Sequence, residues 1–199
     1  MLPARDSQLV QIVDAALADA ARRSGEWLVC RSGCTQCCIG AFAIHQLDAL
    51  RLRDGLHQLE RNDPQRAAQV RQRAQAYVVR IAADFPGNTQ TGLLDASPEA
   101  EERFENFANE EPCPVLDPET GMCDLYAARP MTCRVFGPPV RSEDGLGVCD
   151  LCYHGATDEE IAACEMHLET DALEAKLTAE AETTTGIHGN TIVAFALLR

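Results

Sequence analysis

Apolar residues recur at helical spacing along much of the chain, and this periodicity predicts a mainly α fold. Within residues 7–24 the apolar side chains fall on one helical face, with Ser7 as an N-cap residue and Gly25 as a stop. Further helices are predicted over residues 46–60, from Pro64 to Phe85 after the cap Asp63, and over a short segment that opens at Ser97.

The C-terminal part of the chain predicts one long helix. Thr157 and Glu160 have the spacing of a capping box. Apolar residues then stay on one face until about Thr185, and Gly186 is the stop. Residues 192–198 are apolar and predict a further helix that packs against the core.

Three segments lack helical periodicity. Residues 41–44 form a short apolar run, which fits a strand or a buried turn, and residues 86–96 have the composition of a loop. Residues 112–155 contain six of the ten prolines, so regular structure there should be short. Something other than secondary structure must hold this segment, and metal–thiolate bonds would do so.

Length and charge narrow the class of protein. The 199 residues are enough for a single domain, residues 1–199, with a substantial core. No run of about 18 apolar residues occurs, which excludes a transmembrane helix, and residues 1–6 lack the features of a signal peptide. The sequence therefore predicts a cytoplasmic protein, in a compartment where stable disulfides are rare. The formal net charge of −14 argues against nucleic acid and anionic membranes as partners, because both attract Lys and Arg.

Cysteine is the most informative residue type in this chain. Nine of the ten cysteines fall into two blocks, within residues 30–38 and 113–152. The nine are Cys30, Cys34, Cys37, Cys38, Cys113, Cys123, Cys133, Cys149 and Cys152. Disulfides would require an oxidising compartment, and core cysteines would follow a helical or strand period, whereas these lie among Gly, Pro and Thr.

Metal ligation explains the spacing better than either alternative. Cys34-x-x-Cys37 and Cys149-x-x-Cys152 have the gap that lets two sulfurs of one loop bind one ion. We therefore expect the two blocks to close on one another around metal, with all nine cysteines as candidate ligands. Zn²⁺ and an iron–sulfur cluster both remain candidates, because each accepts four thiolates.

The adjacent pair Cys37 and Cys38 affects the expected number of ions. In an extended backbone neighbouring side chains point to opposite sides, so the two sulfurs would serve different ions or different irons of one cluster. Cys34 would then share an ion with Cys37, and Cys38 would turn towards Cys133. Nine thiols also exceed the four ligands of one structural zinc, so two ions or a polynuclear cluster is expected.

The cysteine motifs resemble those of a known family. Cys34-Thr35-Gln36-Cys37-Cys38 is similar to the core of the CxxCxxCC proteins, also named YkgJ-like cysteine-cluster proteins. The segments that begin at Cys113, Gly121 and Ala128 resemble the CP-x-L, G-x-C-x-(I/L)-Y and RP-x-x-CR-x-F signatures of that family. The resemblance covers residues 30–136, although Cys30 precedes Cys34 by one residue more than the family name implies. It implies a domain that chelates zinc or iron, and it implies no particular activity.

Two arginines flank Cys133 and are candidates for supporting the bound group. Four thiolates around one zinc leave a net charge of about −2, and N–H groups of Arg129 and Arg134 directed at sulfur would offset that charge. The alternative for each arginine is a surface position or a carboxylate partner.

Three further residues could extend the ligand set. His154 follows Cys152 by two residues, and Cys164 with His167 could bind an ion from successive turns of the long predicted helix. The alternative for both histidines is a solvent-facing or core position.

Two functions fit these observations. The first is a cytoplasmic metal-binding protein that chelates zinc or an iron–sulfur cluster through its cysteines, with metal ions as its partners. The second is a cluster-dependent enzyme such as an oxidoreductase, which would need an open coordination position or a labile cluster. The sequence contains no glycine-rich phosphate loop, nucleophile elbow or His-Glu-x-x-His motif that would indicate another chemistry.

Overall fold

A computed structural model describes residues 1–31, 33–142 and 145–199. The chain divides into two compact units, each assembled from separate segments of sequence. The first unit comprises Met1–Leu2, Gly33–Pro130 and Thr178–Arg199, and the second comprises Pro3–Ser32 and Met131–Leu177. The single domain predicted over residues 1–199 stays a prediction.

The first unit is built on a helical hairpin. Helix α2 spans Gln46–Asn62 and helix α3 spans Pro64–Ile81. The carboxylate of Asp63 accepts a hydrogen bond from the backbone N–H of Arg66 at 3.0 Å, and Pro64 has the fixed φ that suits the first helical position. The predicted helix start at this Asp-Pro pair is therefore confirmed.

A short C-terminal helix completes the core of this unit. Helix α8, Val193–Leu197, is buried along its whole length and contacts both α2 and α3. Leu52, Leu56 and Val70 lie in the same core and are each at most 1% exposed. The apolar faces predicted from the periodicity are the faces that pack here.

The remaining elements of the first unit are short. Residues 86–96, predicted as a loop, contain a two-residue antiparallel ladder, and Ser97 caps the next helix as predicted. The elements are β1 (Gly87–Asn88), β2 (Leu93–Leu94), α4 (Pro98–Glu105) and 3₁₀ turns over Gln36–Cys38 and Tyr126–Ala128. Within residues 41–44, predicted as a strand or a buried turn, Ile44 forms an isolated β-bridge with Thr191.

The second unit contains one long helix and several small elements. Helix α1 begins at Asp6 rather than after Ser7, and Gly25 follows its end with φ 51°. The elements are α1 (Asp6–Ser24), α5 (Met131–Arg134), the hairpin of β3 (Val140–Ser142) and β4 (Gly145–Gly147), and α6 (Asp158–Ala163). Helix α7, Asp171–Thr185, has its residues divided between the two units.

The continuous helix predicted from residue 157 to residue 185 is wrong, because the chain leaves the helical path between α6 and α7. The capping box itself is present: the N–H of Glu160 donates to the Thr157 hydroxyl at 3.3 Å, and the Glu160 carboxylate accepts from the N–H of Thr157 at 2.8 Å.

Tertiary hydrogen bonds explain where this helix stops. The N–H of Met166 donates to the carbonyl of Pro139 at 2.8 Å instead of to its own helix. Arg141 donates two hydrogen bonds to the carboxylate of Glu165, one of them at 2.8 Å. These contacts come from residues that are distant in sequence, so the periodicity of the segment does not reveal them.

The mainly α fold is confirmed. Helices and 3₁₀ turns account for 52% of the described residues, and the strands in that part of the chain form two small antiparallel pairs. Regular structure in residues 112–155 is short, as the prolines predict. None of the helices in the described ranges combines the length and the apolar content that a membrane crossing requires.

Candidate metal centre

In the first unit, cysteine-bearing segments of the two sequence blocks lie side by side. The backbone N–H of Cys113 donates to the carbonyl of Cys38 at 2.7 Å, and the N–H of Gly40 donates to the carbonyl of Glu111 at 2.9 Å. Gly40 has φ 93°, a conformation that glycine adopts without strain. Backbone hydrogen bonds therefore hold the end of the first cysteine block against the start of the second.

Cys113 and Cys123 lie at the two ends of one closed loop. The N–H of Asp124 donates to the carbonyl of Val115 at 2.8 Å, which closes the loop next to both cysteines. Gly121 turns the chain inside it with φ 67°. The loop geometry therefore fixes the separation of two candidate ligands that are ten residues apart.

Burial and hydrogen bonding shift the pKa of the Cys113 and Cys123 thiols in opposite directions. Burial raises the pKa of the Cys113 thiol to about 12 and also raises the pKa of the Cys123 thiol. Backbone N–H groups two residues further on, those of Val115 and Leu125, point at the two sulfurs and lower each pKa. Both thiols are therefore neutral at pH 7, yet each already faces an N–H group that would stabilise a thiolate.

Cys37 and Cys38 lie in the 3₁₀ turn Gln36–Cys38, where the N–H of Cys38 donates to the carbonyl of Thr35 at 2.8 Å. Their thiols are hydrogen-bonded to each other. This bond is the largest cause of the raised pKa of Cys37, and burial is the second. The premise of an extended backbone at this pair is wrong, because the tight turn brings the two side chains together. Their assignment to different ions or irons stays a prediction.

Arg129 places a positive charge near these thiols. Its guanidinium group lowers the pKa of Cys37 and of Cys123, although burial and hydrogen bonding dominate both values. The group lies over the ring of Tyr126, 4.0 Å from the centroid, and donates to the Tyr126 carbonyl at 2.9 Å. A fixed cation beside several thiols agrees with the role expected for Arg129, and its contact with a metal-bound thiolate stays a prediction.

Cys34 belongs to the same unit and is half-buried. The residues on either side of Cys34 lie close to the loop between Cys113 and Cys123. A Cβ on Gly121 would lie 3.5 Å from the carbonyl oxygen of Gly33 and 3.6 Å from Cγ2 of Thr35. The first unit thus contains Cys34, Cys37, Cys38, Cys113 and Cys123.

The second unit contains a further group of thiols. The N–H of Cys152 donates to the carbonyl of Cys149 at 2.9 Å, which forms the turn expected of a Cys-x-x-Cys motif. Burial raises the pKa of Cys152, as do the charge of Cys149 and a hydrogen bond between the two thiols. The N–H groups of Val29 and Cys30 point at the Cys152 sulfur and act in the opposite direction. Cys30, which is exposed, therefore lies next to this turn.

Cys133 lies in α5 of the second unit, beside a buried arginine. Arg134 is 2% exposed, and its Nη1 donates to both carboxylate oxygens of Asp14, at 2.9 and 3.0 Å. This is the carboxylate partner that the sequence leaves as an alternative, and a role of Arg134 at the metal stays a prediction. The expected partnership of Cys38 with Cys133 joins residues of different units and also stays a prediction.

The three additional candidates have different environments. Cys164 is buried in a small cluster with Cys152 and Tyr153. His154 and His167 are exposed. The helical placement predicted for Cys164 and His167 is wrong, because α6 ends before Cys164 and His167 lies outside any helix.

The donor set agrees with a thiolate-bound metal. Within the described ranges, no three His, Cys, Asp or Glu side chains form a group that could hold a metal ion as they stand. The chemistry of the first unit nevertheless fits zinc or iron, because buried sulfur donors face backbone N–H groups and a fixed cation. Thiols that share a hydrogen bond carry protons, and metal binding replaces those protons.

A mainly helical chain that carries several buried or half-buried cysteines in short, irregular segments has the features of a thiolate metal-binding protein. The chain belongs to the CxxCxxCC family, described as "Putative zinc- or iron-chelating domain", whose model matches residues 29–167. This match confirms the family resemblance of the cysteine motifs, and the YkgJ-like designation stays a prediction. No curated protein and no solved structure matches the chain.

Proposed function

We propose that this protein is a cytoplasmic metal-binding protein that holds zinc or an iron–sulfur cluster through its clustered cysteines. The observation that supports this most strongly is that Cys37, Cys38, Cys113 and Cys123 lie on neighbouring segments of one unit. These residues come from both sequence blocks, and hydrogen bonds between their backbones fix the segments that carry them. A structural zinc ion requires four ligands, and common iron–sulfur clusters are likewise held by four cysteine thiolates.

The metal would supply positive charge that makes thiolates stable in a buried place. Burial keeps the thiol of Cys113 protonated, with a pKa of about 12. The N–H groups of Val115 and Leu125 and the guanidinium group of Arg129 then stabilise the sulfurs once their protons have left. Binding should therefore release protons and tighten the loops that carry the ligands.

We also propose that Cys30, Cys34, Cys133, Cys149 and Cys152 are ligands, as the sequence predicts. Nine thiols exceed the needs of one zinc, so this assignment requires more than one ion or a polynuclear cluster. The turn at Cys149 and Cys152 supports it, because backbone N–H groups of Val29 and Cys30 already point at the Cys152 sulfur.

The experiment is metal analysis of protein purified without oxygen, together with its visible absorption spectrum. We expect at least one equivalent of zinc or iron, with a brown colour if the group is an iron–sulfur cluster and no colour if it is zinc. Protein that contains neither metal, and takes up neither after reduction and reconstitution, would refute the proposal.

Two cysteine variants test which sulfurs carry the metal. Cys123→Ser should lose most of the bound metal, because it removes one of the four sulfurs in the first unit. Cys164→Ala is the control: this thiol is buried and is not a proposed ligand, so the variant should bind as much metal as the wild-type protein does. Equal metal content in both variants would contradict the ligand assignment.

A further inference from the structure

A buried carboxylate lies next to one of the proposed ligands and is held by two arginines of a single helix. The side chain of Asp124 is 1% exposed. One of its oxygens accepts a hydrogen bond from Nε of Arg66 and the other accepts one from Nη2 of Arg73. Both arginines belong to α3, seven residues apart, so they project from the same face of a rigid element.

The second arginine also binds the other end of the cysteine loop. Nε of Arg73 donates to the carbonyl of Pro114 at 2.9 Å. Pro114 directly follows Cys113, and Asp124 directly follows Cys123. One guanidinium group is therefore bonded to the residue after each of the two candidate ligands.

We propose that Arg66, Arg73 and Asp124 are positioning residues of the metal site, which fix the sulfurs of Cys113 and Cys123 for binding. This inference rests on the proposed function. In this proposal none of the three residues contacts the metal, because they act through the backbone of the loop between Cys113 and Cys123. We name the set the Arg–Asp–Arg clamp.

The cost of burying Asp124 is the first argument for such a role. A carboxylate that is almost fully buried is costly unless it is paired and hydrogen-bonded, and here each oxygen has its own guanidinium donor. The pairs are charge-assisted and therefore strong and directional. Since α3 forms part of the hydrophobic core through Val70, the clamp connects the loop to the helical core of the unit.

Charge balance is the second argument. The carboxylate of Asp124 adjoins a sulfur that becomes a thiolate on metal binding, and two negative groups so close would repel. The positive charges of Arg66 and Arg73 offset this repulsion. The clamp thus fixes the loop through a carboxylate without adding net negative charge to a site that already collects thiolates.

The test measures metal affinity in variants of the clamp. Metal-free, reduced protein is titrated with Co²⁺ and then with Zn²⁺ in competition with a chelator of known affinity. We expect Arg73→Gln and Asp124→Asn to bind both metals about 10- to 100-fold more weakly, the range typical of residues that orient metal ligands from outside the coordination sphere.

Arg71→Gln is the matched control. Arg71 lies on the same helix, but its partner is the exposed Glu60, at 3.1 Å. This variant should bind metal as the wild-type protein does. Equal affinity in Arg73→Gln, Asp124→Asn and the wild-type protein would overturn the inference.

Two measurements separate positioning from general stability. The visible spectrum of bound Co²⁺ reports the geometry of the sulfurs, and we expect it to shift in Arg73→Gln but not in Arg71→Gln. In a double-mutant cycle, the variant that carries both Arg73→Gln and Asp124→Asn should lose less affinity than the sum of the two separate losses, because both substitutions disrupt the same Arg73–Asp124 contact. An unchanged spectrum with additive losses would mean that the clamp only stabilises the fold, and would overturn the inference.

A third variant covers the case in which Arg73→Gln fails to fold. Arg66 is 41% exposed and makes only one of the contacts, so Arg66→Gln should fold and still lose metal affinity. Folded Arg66→Gln with wild-type affinity would then overturn the inference. Absence of metal binding by the wild-type protein is a different result, because it refutes the proposed function itself and the clamp's role with it.

Discussion

At the scale of single residues, burial decides how reactive each cysteine is before metal arrives. Cys30 is exposed, whereas Cys113 is buried and burial raises its pKa to about 12. Thiolate is the nucleophilic form of cysteine, so a thiol that is both inaccessible and protonated reacts slowly. The ten cysteines of the metal-free protein should therefore differ widely in reactivity.

We predict that iodoacetamide modifies Cys30 at least about tenfold faster than Cys113 in folded, metal-free protein at pH 8. Mass spectrometry of peptides taken at successive times measures the two rates. As the pH rises from 8 towards 12, the Cys113 rate should keep increasing after that of an ordinary thiol has levelled off, because its raised pKa delays ionisation. In concentrated urea the two cysteines should react alike, and equal rates in the folded protein would contradict the prediction.

The spacing of Cys37 and Cys38 in the sequence could not predict how their two side chains are directed relative to each other. The sequence identifies both residues as candidate ligands, and that assignment depends only on residue type and context. The relative direction of two neighbouring side chains depends on the local backbone, which is a 3₁₀ turn here. Sequence motifs therefore indicate candidate donors, but the relative direction of neighbouring donors depends on the folded backbone.

At the scale of secondary-structure elements, the helices of the first unit were predictable because each carries its own signals. The cap at Asp63 and the apolar faces of α2 and α3 are local features. The break between α6 and α7 was not predictable, since it depends on bonds from Pro139 and Arg141 to a segment that is distant in sequence. Local signals specify where helices start, and tertiary contacts specify some of their ends.

Gly55, in the middle of α2, illustrates an element that is shaped by its neighbour. Glycine is unfavourable inside a helix by roughly 0.5–1 kcal/mol relative to alanine, so its presence needs a reason. A Cβ at this position would overlap the Cβ of Ala128, in the 3₁₀ turn that precedes Arg129. The glycine therefore lets this turn, and with it Arg129, approach the helix closely.

We predict that Gly55→Ala destabilises the protein by about 1–3 kcal/mol, as overpacking does, despite the better helix propensity of alanine. Urea unfolding of the metal-free protein measures the change. Adding Ala128→Gly to this variant should recover much of the loss, because it removes the atom that the new methyl group meets. A more stable Gly55→Ala protein would show that α2 and the turn are not in close contact.

At the scale of the whole molecule, the two units interleave along the chain. The first unit takes residues from three separate segments and the second from two. No change of composition marks these boundaries, so the sequence could not indicate them. The sequence could not indicate the Arg–Asp–Arg clamp either, because Arg66 and Asp124 are 58 residues apart and meet only through the packing of α3 against the cysteine loop.

The core of the first unit does not depend on its cysteines for most of its buried apolar surface. Leu52, Leu56 and Val70 pack between helices and are each at most 1% exposed. The cysteine loop has little regular structure: its backbone hydrogen bonds are those of turns and of an isolated β-bridge between Leu116 and Cys123. Metal binding should therefore contribute to the stability of the loop more than to that of the helices.

Hydrogen exchange of the reduced protein with and without metal tests this difference. We predict that removing the metal with a chelator speeds exchange of the Cys113 and Asp124 amides by at least about tenfold, because the energy of metal binding is also folding energy for the loop that carries the ligands. The amide of Val70, within α3, should change little, since the helical core keeps its packing. Re-addition of Zn²⁺ should restore protection of the loop amides in the wild-type protein but not in Cys123→Ser. If the Val70 amide lost protection to the same extent as the loop amides, the whole unit would depend on metal for folding. If no amide changed, metal would not stabilise this loop.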